Sequence, residues 1–147
     1  MILSVNGQDF VVDSVSDLRA HVATLRQAHW SEADLSEADD PGEEGTFFAV
    51  TMLTHDARAL LFYFRYSGDP GFTSRDPAYA GPKDAMLDFR LSNGQIDEYP
   101  AYWTVPIEDA LCALEYAFVH RARAPWVSWN DETGLDSWQE WGTVNGC

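Results

Sequence analysis

Carboxylates in large excess and a handful of histidines are the side chains with which this sequence could do chemistry. It holds 24 Asp and Glu against 9 Lys and Arg, a formal net charge of -15, and four histidines in 147 residues. His55-Asp56 and the distant His29 contain the ingredients of a general-base pair or a metal site, since imidazole titrates near neutral pH and a carboxylate can orient it. Histidines scattered among so many acids meet carboxylates by chance, however, so neither catalysis nor a metal is expected of them. The sequence has no Gly-rich phosphate loop, nucleophile elbow, H-E-x-x-H pair or paired-cysteine metal signature. The acid-rich run from Glu32 to Glu44 lacks the ligand spacing of a calcium loop. No catalytic residue, metal or cofactor is therefore expected, and a binding protein is favoured over an enzyme.

Charge then narrows the partner. The phosphate backbone of DNA or RNA needs a basic patch, and only His120, Arg121 and Arg123 approach one, where a helix is expected to end and cations complement its dipole. An anionic membrane surface is disfavoured for the same reason. A positively charged protein is favoured, because opposite net charges steer association and raise on-rates. Glu32, Asp34, Glu37, Asp39, Asp40, Glu43 and Glu44 run without an intervening base, and the tail carries Asp131, Glu132, Asp136 and Glu140 without Lys or Arg. Such carboxylates can pair with the Arg and Lys of a nucleic-acid groove and occupy the space of phosphates. On charge and exposure the candidate partner-binding residues are Asp39, Asp40, Glu43, Glu44, Asp131, Glu132 and, as an aromatic anchor, Trp138.

These residues need a scaffold, and the length suits a single domain over 1–147. Asn6-Gly7 between two short apolar stretches predicts a hairpin or bent strand over 1–12. Ser14 with Asp17, then Val15, Leu18, Val22 and Leu25 at helical spacing, predict a helix running to about His29. Residues 31–45 read as a solvated acidic loop broken by Pro41-Gly42. The apolar runs Thr46–Leu53 and Ala59–Tyr66 read as paired central strands. A long irregular connection rich in Gly and Pro spans 67–83. Met86–Leu91, the Asn93-Gly94 turn and Gln95–Tyr102 predict a second hairpin. Pro106 opens the clearest helix, with Ile107, Ala110, Leu111, Leu114, Ala117 and Phe118 on one stripe. Trp126-Val127-Ser128-Trp129 reads as a last short strand, followed by an acidic, Trp-containing tail over 130–147. The expected fold is α+β, a mainly antiparallel sheet of five to six strands with two principal helices packed on it. Cys112 is expected to be a packing residue and Cys147 incidental. No signal peptide or membrane span is legible, so a cytoplasmic location is expected.

The order Val105-Pro106, Ala110-Leu111, Ala113-Leu114, Tyr116-Ala117-Phe118, Pro125 and Val127-Ser128-Trp129 resembles the C-terminal helix and strand of the first-numbered immunity-protein family of bacterial polymorphic toxin systems. The turn Gly68-Asp69-Pro70-Gly71-Phe72 is similar to one found in that family. The resemblance implies a small cytoplasmic α+β protein that inhibits a cognate secreted toxin, with a toxin catalytic domain of the zinc-dependent nucleic-acid deaminase class. The chain itself lacks the His, Glu and paired-Cys signature of a deaminase, as an inhibitor would. The resemblance supplies no contact residues, because the tail beyond Asp131 extends past the matching part. An inhibitor of a nuclease toxin, a general acidic mimic of DNA, and a small enzyme or ligand-binding domain using 67–83 as a lid are the other readings.

Overall fold

Local signals of the sequence close the first elements. The computed structural model describes residues 1–42 and 47–133. Strands β1 (Ile2–Val5) and β2 (Gln8–Val11) pair through the Asn6-Gly7 turn, both of whose residues have positive φ, 49° and 86°. Helix α1 (Val15–Val22) starts where Ser14 Oγ accepts the Asp17 N–H at 3.0 Å, and a 3-10 turn over Ala23–Gln27 prolongs it. Helix α2 (Ile107–His120) begins directly after Pro106, which sits at its N-cap position rather than inside the first turn. Its last turn closes through Arg121 in the left-handed conformation, whose N–H donates to the Ala117 carbonyl.

The region 31–45 corrects the expectation of a loop. Its first part belongs to strand β3 (Trp30–Ser36), an interior strand between β1 and β4 (Ala49–His55). Ser31, Ala33 and Leu35 are buried on one face while Glu32, Asp34 and Ser36 alternate on the other, so a period of two lies beneath the acidic composition. The expected central strands are β4 and β5 (Arg58–Phe64), joined by Asp56-Ala57. The connection 67–83 also hides a strand: β6 (Phe72–Arg75) pairs with β5 and is buried at all four residues. Its polar side chains have buried partners, Ser74 Oγ donating to the Trp103 carbonyl at 2.7 Å and accepting the Leu61 N–H at 3.0 Å. A segment paired this way cannot swing as a lid without breaking the sheet.

Strands β7 (Met86–Arg90) and β8 (Ile96–Pro100) form a separate two-stranded hairpin. The two-residue strand β9 (Val105–Pro106) pairs with β5, and β10 (Ser128–Asp131), two residues later than expected, pairs with β6. The main sheet runs β10-β6-β5-β4-β3-β1-β2 with β9 on β5, eight antiparallel strands where five or six were expected. Both helices pack on one face over a core of Leu3, Leu35, Met52, Leu61 and Leu114. The β7–β8 hairpin covers part of the other face, closing a smaller core around Leu53, Leu60 and Phe89. Trp129 is buried, donates its indole N–H to the Ala124 carbonyl at 3.1 Å and packs on Tyr63; Trp126 is half-buried against Tyr116. Cys112 is half-buried on α2, and Cys147 lies outside the described residues.

Candidate functional site

At one end of the main sheet the β5–β6 turn gathers segments far apart in sequence. Its residues Gly68-Asp69-Pro70-Gly71 are held from inside: the Asp69 carboxylate accepts the Arg65 N–H at 2.9 Å, the Arg65 guanidinium at 2.8 Å through each oxygen, and the Gly71 N–H at 3.1 Å. Burial pushes the Asp69 carboxyl up, but these hydrogen bonds and the Arg65 charge outweigh it and hold the group below its ordinary value. Gly71 has a φ of +70° and a Cβ there would lie 2.3 Å from the Tyr63 carbonyl oxygen, so only glycine fits.

Two acidic segments dock on this turn. Asp40 Oδ2 accepts the Ser67 N–H at 3.0 Å, fastening the stretch that carries exposed Asp39 to one side. The Glu132 N–H donates to the Gly71 carbonyl at 2.9 Å, bringing the end of β10 to the other. Asp39, Asp40, Asp131 and Glu132 therefore share one end of the sheet although some ninety residues separate the pairs. Their carboxylates are unequally available. Asp40 Oδ1 also accepts Gly42 N–H, Asp131 caps Thr133, and Glu132 Oε1 accepts from Thr73, Asn130 and Arg75. Glu43, Glu44 and Trp138 lie outside the described residues.

The cations do little to offset this end. Arg65 faces Asp69, Arg75 lies over the Trp103 ring at 3.7 Å and 3.4 Å from Glu132, and Arg123 stacks on Phe72 at 3.8 Å. Arg121 at the end of α2 binds Glu37 at 2.8 Å and the Phe118 carbonyl, the structural role expected of that basic run. Elsewhere Arg19, Arg26 and Arg58 pair with Glu115, Glu108 and Asp76. Arginines are thus spent on internal contacts while carboxylates remain in surplus.

A second acidic patch escaped sequence reading. Register places Asp9, Ser4, Asp34 and Thr51 in one row across β2, β1, β3 and β4, on the face opposite the helices. Burial raises the Asp34 carboxyl, the Thr51 hydroxyl that donates to it lowers it, and the charges of Glu32 and Asp9 raise it further, with a net upward shift. The signal for it was the alternation within 31–36.

With this geometry in view, the family model described as Immunity protein Imm1 matches residues 6–131. The chain belongs to the Imm1 immunity protein family. A comparison with curated proteins finds no match. The Imm1 match runs from the β1–β2 turn to the end of β10, so it takes in both helices and Asp39, Asp40 and Asp131. As an Imm1 member the protein is an immunity protein, whose partner is a toxin. No helix among its described residues is long and apolar enough to cross a membrane.

The depression beside the 76–81 segment is open, and its two charged groups, Arg58 and Asp76, are bound to each other at 2.7 Å. His29, His55 and Asp56 lie together at the β4–β5 turn.

Proposed function

We propose that this Imm1 protein neutralises a secreted nucleic-acid-targeting toxin of the deaminase class by seating its acidic end over the toxin's basic substrate site. The complex would form in the cytoplasm, where it protects the producing cell and its kin. The observation that carries this reading is the gathering of Asp39, Asp40, Asp131 and Glu132 around one rigid turn whose neighbouring arginines are already engaged. A deaminase must hold a polyanion in a cationic channel and draw a base into a zinc pocket. A surface of carboxylates held against the β5–β6 turn complements that channel and excludes the phosphates, with no bond made or broken by the inhibitor. An interface of roughly 1,600 Å² would suffice, with steering from the carboxylates and most affinity from a few buried anchors.

The cognate toxin domain provides the test. Mixed with the purified Imm1 protein, it should form a stable complex and lose its conversion of cytosine or adenine in a single-stranded oligonucleotide at one inhibitor per toxin. Undiminished deamination at saturating inhibitor would sink the proposal. Strand cleavage in place of deamination, blocked by the same complex, would move the target to a nuclease.

A further inference from the structure

The three side chains gathered at the β4–β5 turn come from two places in the fold. His29 immediately precedes β3, His55 ends β4, and Asp56 is the first residue of the turn. The backbone locks them together, the Asp56 N–H donating to the His29 carbonyl at 2.8 Å, with Asp56 at a φ of +51°. Non-glycine residues seldom adopt this conformation, and here it turns the carboxylate back toward both imidazoles. His29 Nδ1 lies 2.6 Å from Asp56 Oδ1, and His55 Nε2 lies 3.7 Å from Asp56 Oδ2. The three ligand atoms all fall within 4.8 Å of one another.

The decisive feature is what holds His55 from behind. Its Nδ1 lies 2.6 Å from the Asp88 carbonyl oxygen and 3.5 Å from the Asp88 carboxylate, both on β7. The carbonyl can only accept, so Nδ1 carries the proton and Nε2 presents its lone pair toward Asp56. The same carbonyl accepts the Trp30 indole N–H at 3.2 Å, and the His55 ring stands edge-on to Phe89 at 6.1 Å. An imidazole with one nitrogen fixed by a carbonyl and the other aimed at a carboxylate is the outer-shell arrangement that orients metal-bound histidines.

We infer that His29, His55 and Asp56 form a binding site for a zinc-class divalent cation, with Asp88 as the group that positions His55. Two imidazole nitrogens and one carboxylate oxygen suit zinc at about 2.0–2.2 Å per ligand, leaving a fourth position to water. The ion would replace the proton shared by His29 and Asp56. Tetrahedral ligands lie about 3.3–3.5 Å apart at such bond lengths, so the His29 to Asp56 contact opens and the imidazoles close, movements that the two exposed side chains can make. The inference does not depend on the identity of the toxin.

The test uses the full-length protein without a histidine tag, at pH 7.5, titrated with zinc by calorimetry and with cobalt by visible absorption. One equivalent should bind, giving the intense d–d bands of four-coordinate cobalt, and zinc should raise the melting temperature. His29→Ala, His55→Ala and Asp56→Ala should each weaken zinc binding at least about tenfold and abolish the melting shift. His21→Ala and His120→Ala should bind as the parent does. Should His55→Ala fail to fold, the exposed His29→Ala and Asp56→Ala decide. Zinc binding that survives both of these, or that is lost with His21 or His120, overturns the site, and so does the absence of binding to the parent protein.

Discussion

Asp69 shows how a single buried carboxylate can order a whole end of the molecule. It is almost inaccessible and accepts from two backbone N–H groups and the Arg65 side chain. Asp69→Asn should cost about 3 kcal/mol in urea unfolding, because it takes the counter-charge from beside a buried guanidinium. The pH dependence has a fixed sign. The carboxyl is lowered in the folded state, so its contribution is complete above the unfolded value of about 4 and is lost as pH falls through the lower folded value. The gap in stability between parent and variant should therefore be flat from neutral pH to about pH 5 and narrow below about pH 4.

At the scale of elements, turns and packing separate by mechanism. Gly68 and Gly71 both have positive φ, but a Cβ meets nothing within 4 Å at Gly68 and overlaps backbone and the Phe64 ring at Gly71. Gly68→Ala should lose only the conformational term of about 1 kcal/mol, whereas Gly71→Ala should displace the β5–β6 turn and lower thermal stability much further. The hairpin depends on Phe89, which fills the smaller core between β7 and the sheet. Phe89→Ala should cost about 3–5 kcal/mol and speed amide exchange in β7 and β8 before it affects the helices, which pack on the opposite face. Helix α2, the two Asn-Gly hairpins and the β4–β5 pair were legible because each carries its own periodicity or turn residue. Strands β3 and β6 were not. In β3 the acidic residues at 32 and 34 masked the alternating Ser31, Ala33 and Leu35, and in β6 three polar residues are buried only because Trp103, Leu61 and Glu132 supply partners.

For the whole molecule, the surplus of carboxylates acts through its field. Asp39 is exposed, so Asp39→Lys should slow association with the toxin roughly three- to tenfold at low salt and leave dissociation little changed. The difference should fade at high ionic strength, where screening removes the steering term. Equal association rates for parent and variant in dilute buffer would take this residue out of the contact surface. The sequence singled out Asp39, Asp40, Asp131 and Glu132 by composition, and the fold adds that they occupy one end.

Taken alone, the sequence determined the charge, the two helices, the hairpin turns and the resemblance to immunity proteins. Each of these is written in neighbouring residues, through capping, spacing or the count of acids. Tertiary structure alone decided that an acidic stretch supplies an interior strand, that Gly68 to Gly71 joins two distant acidic segments, and that His29 meets His55 and Asp56. Those outcomes come from pairing between residues tens of positions apart, where burial and register override local composition.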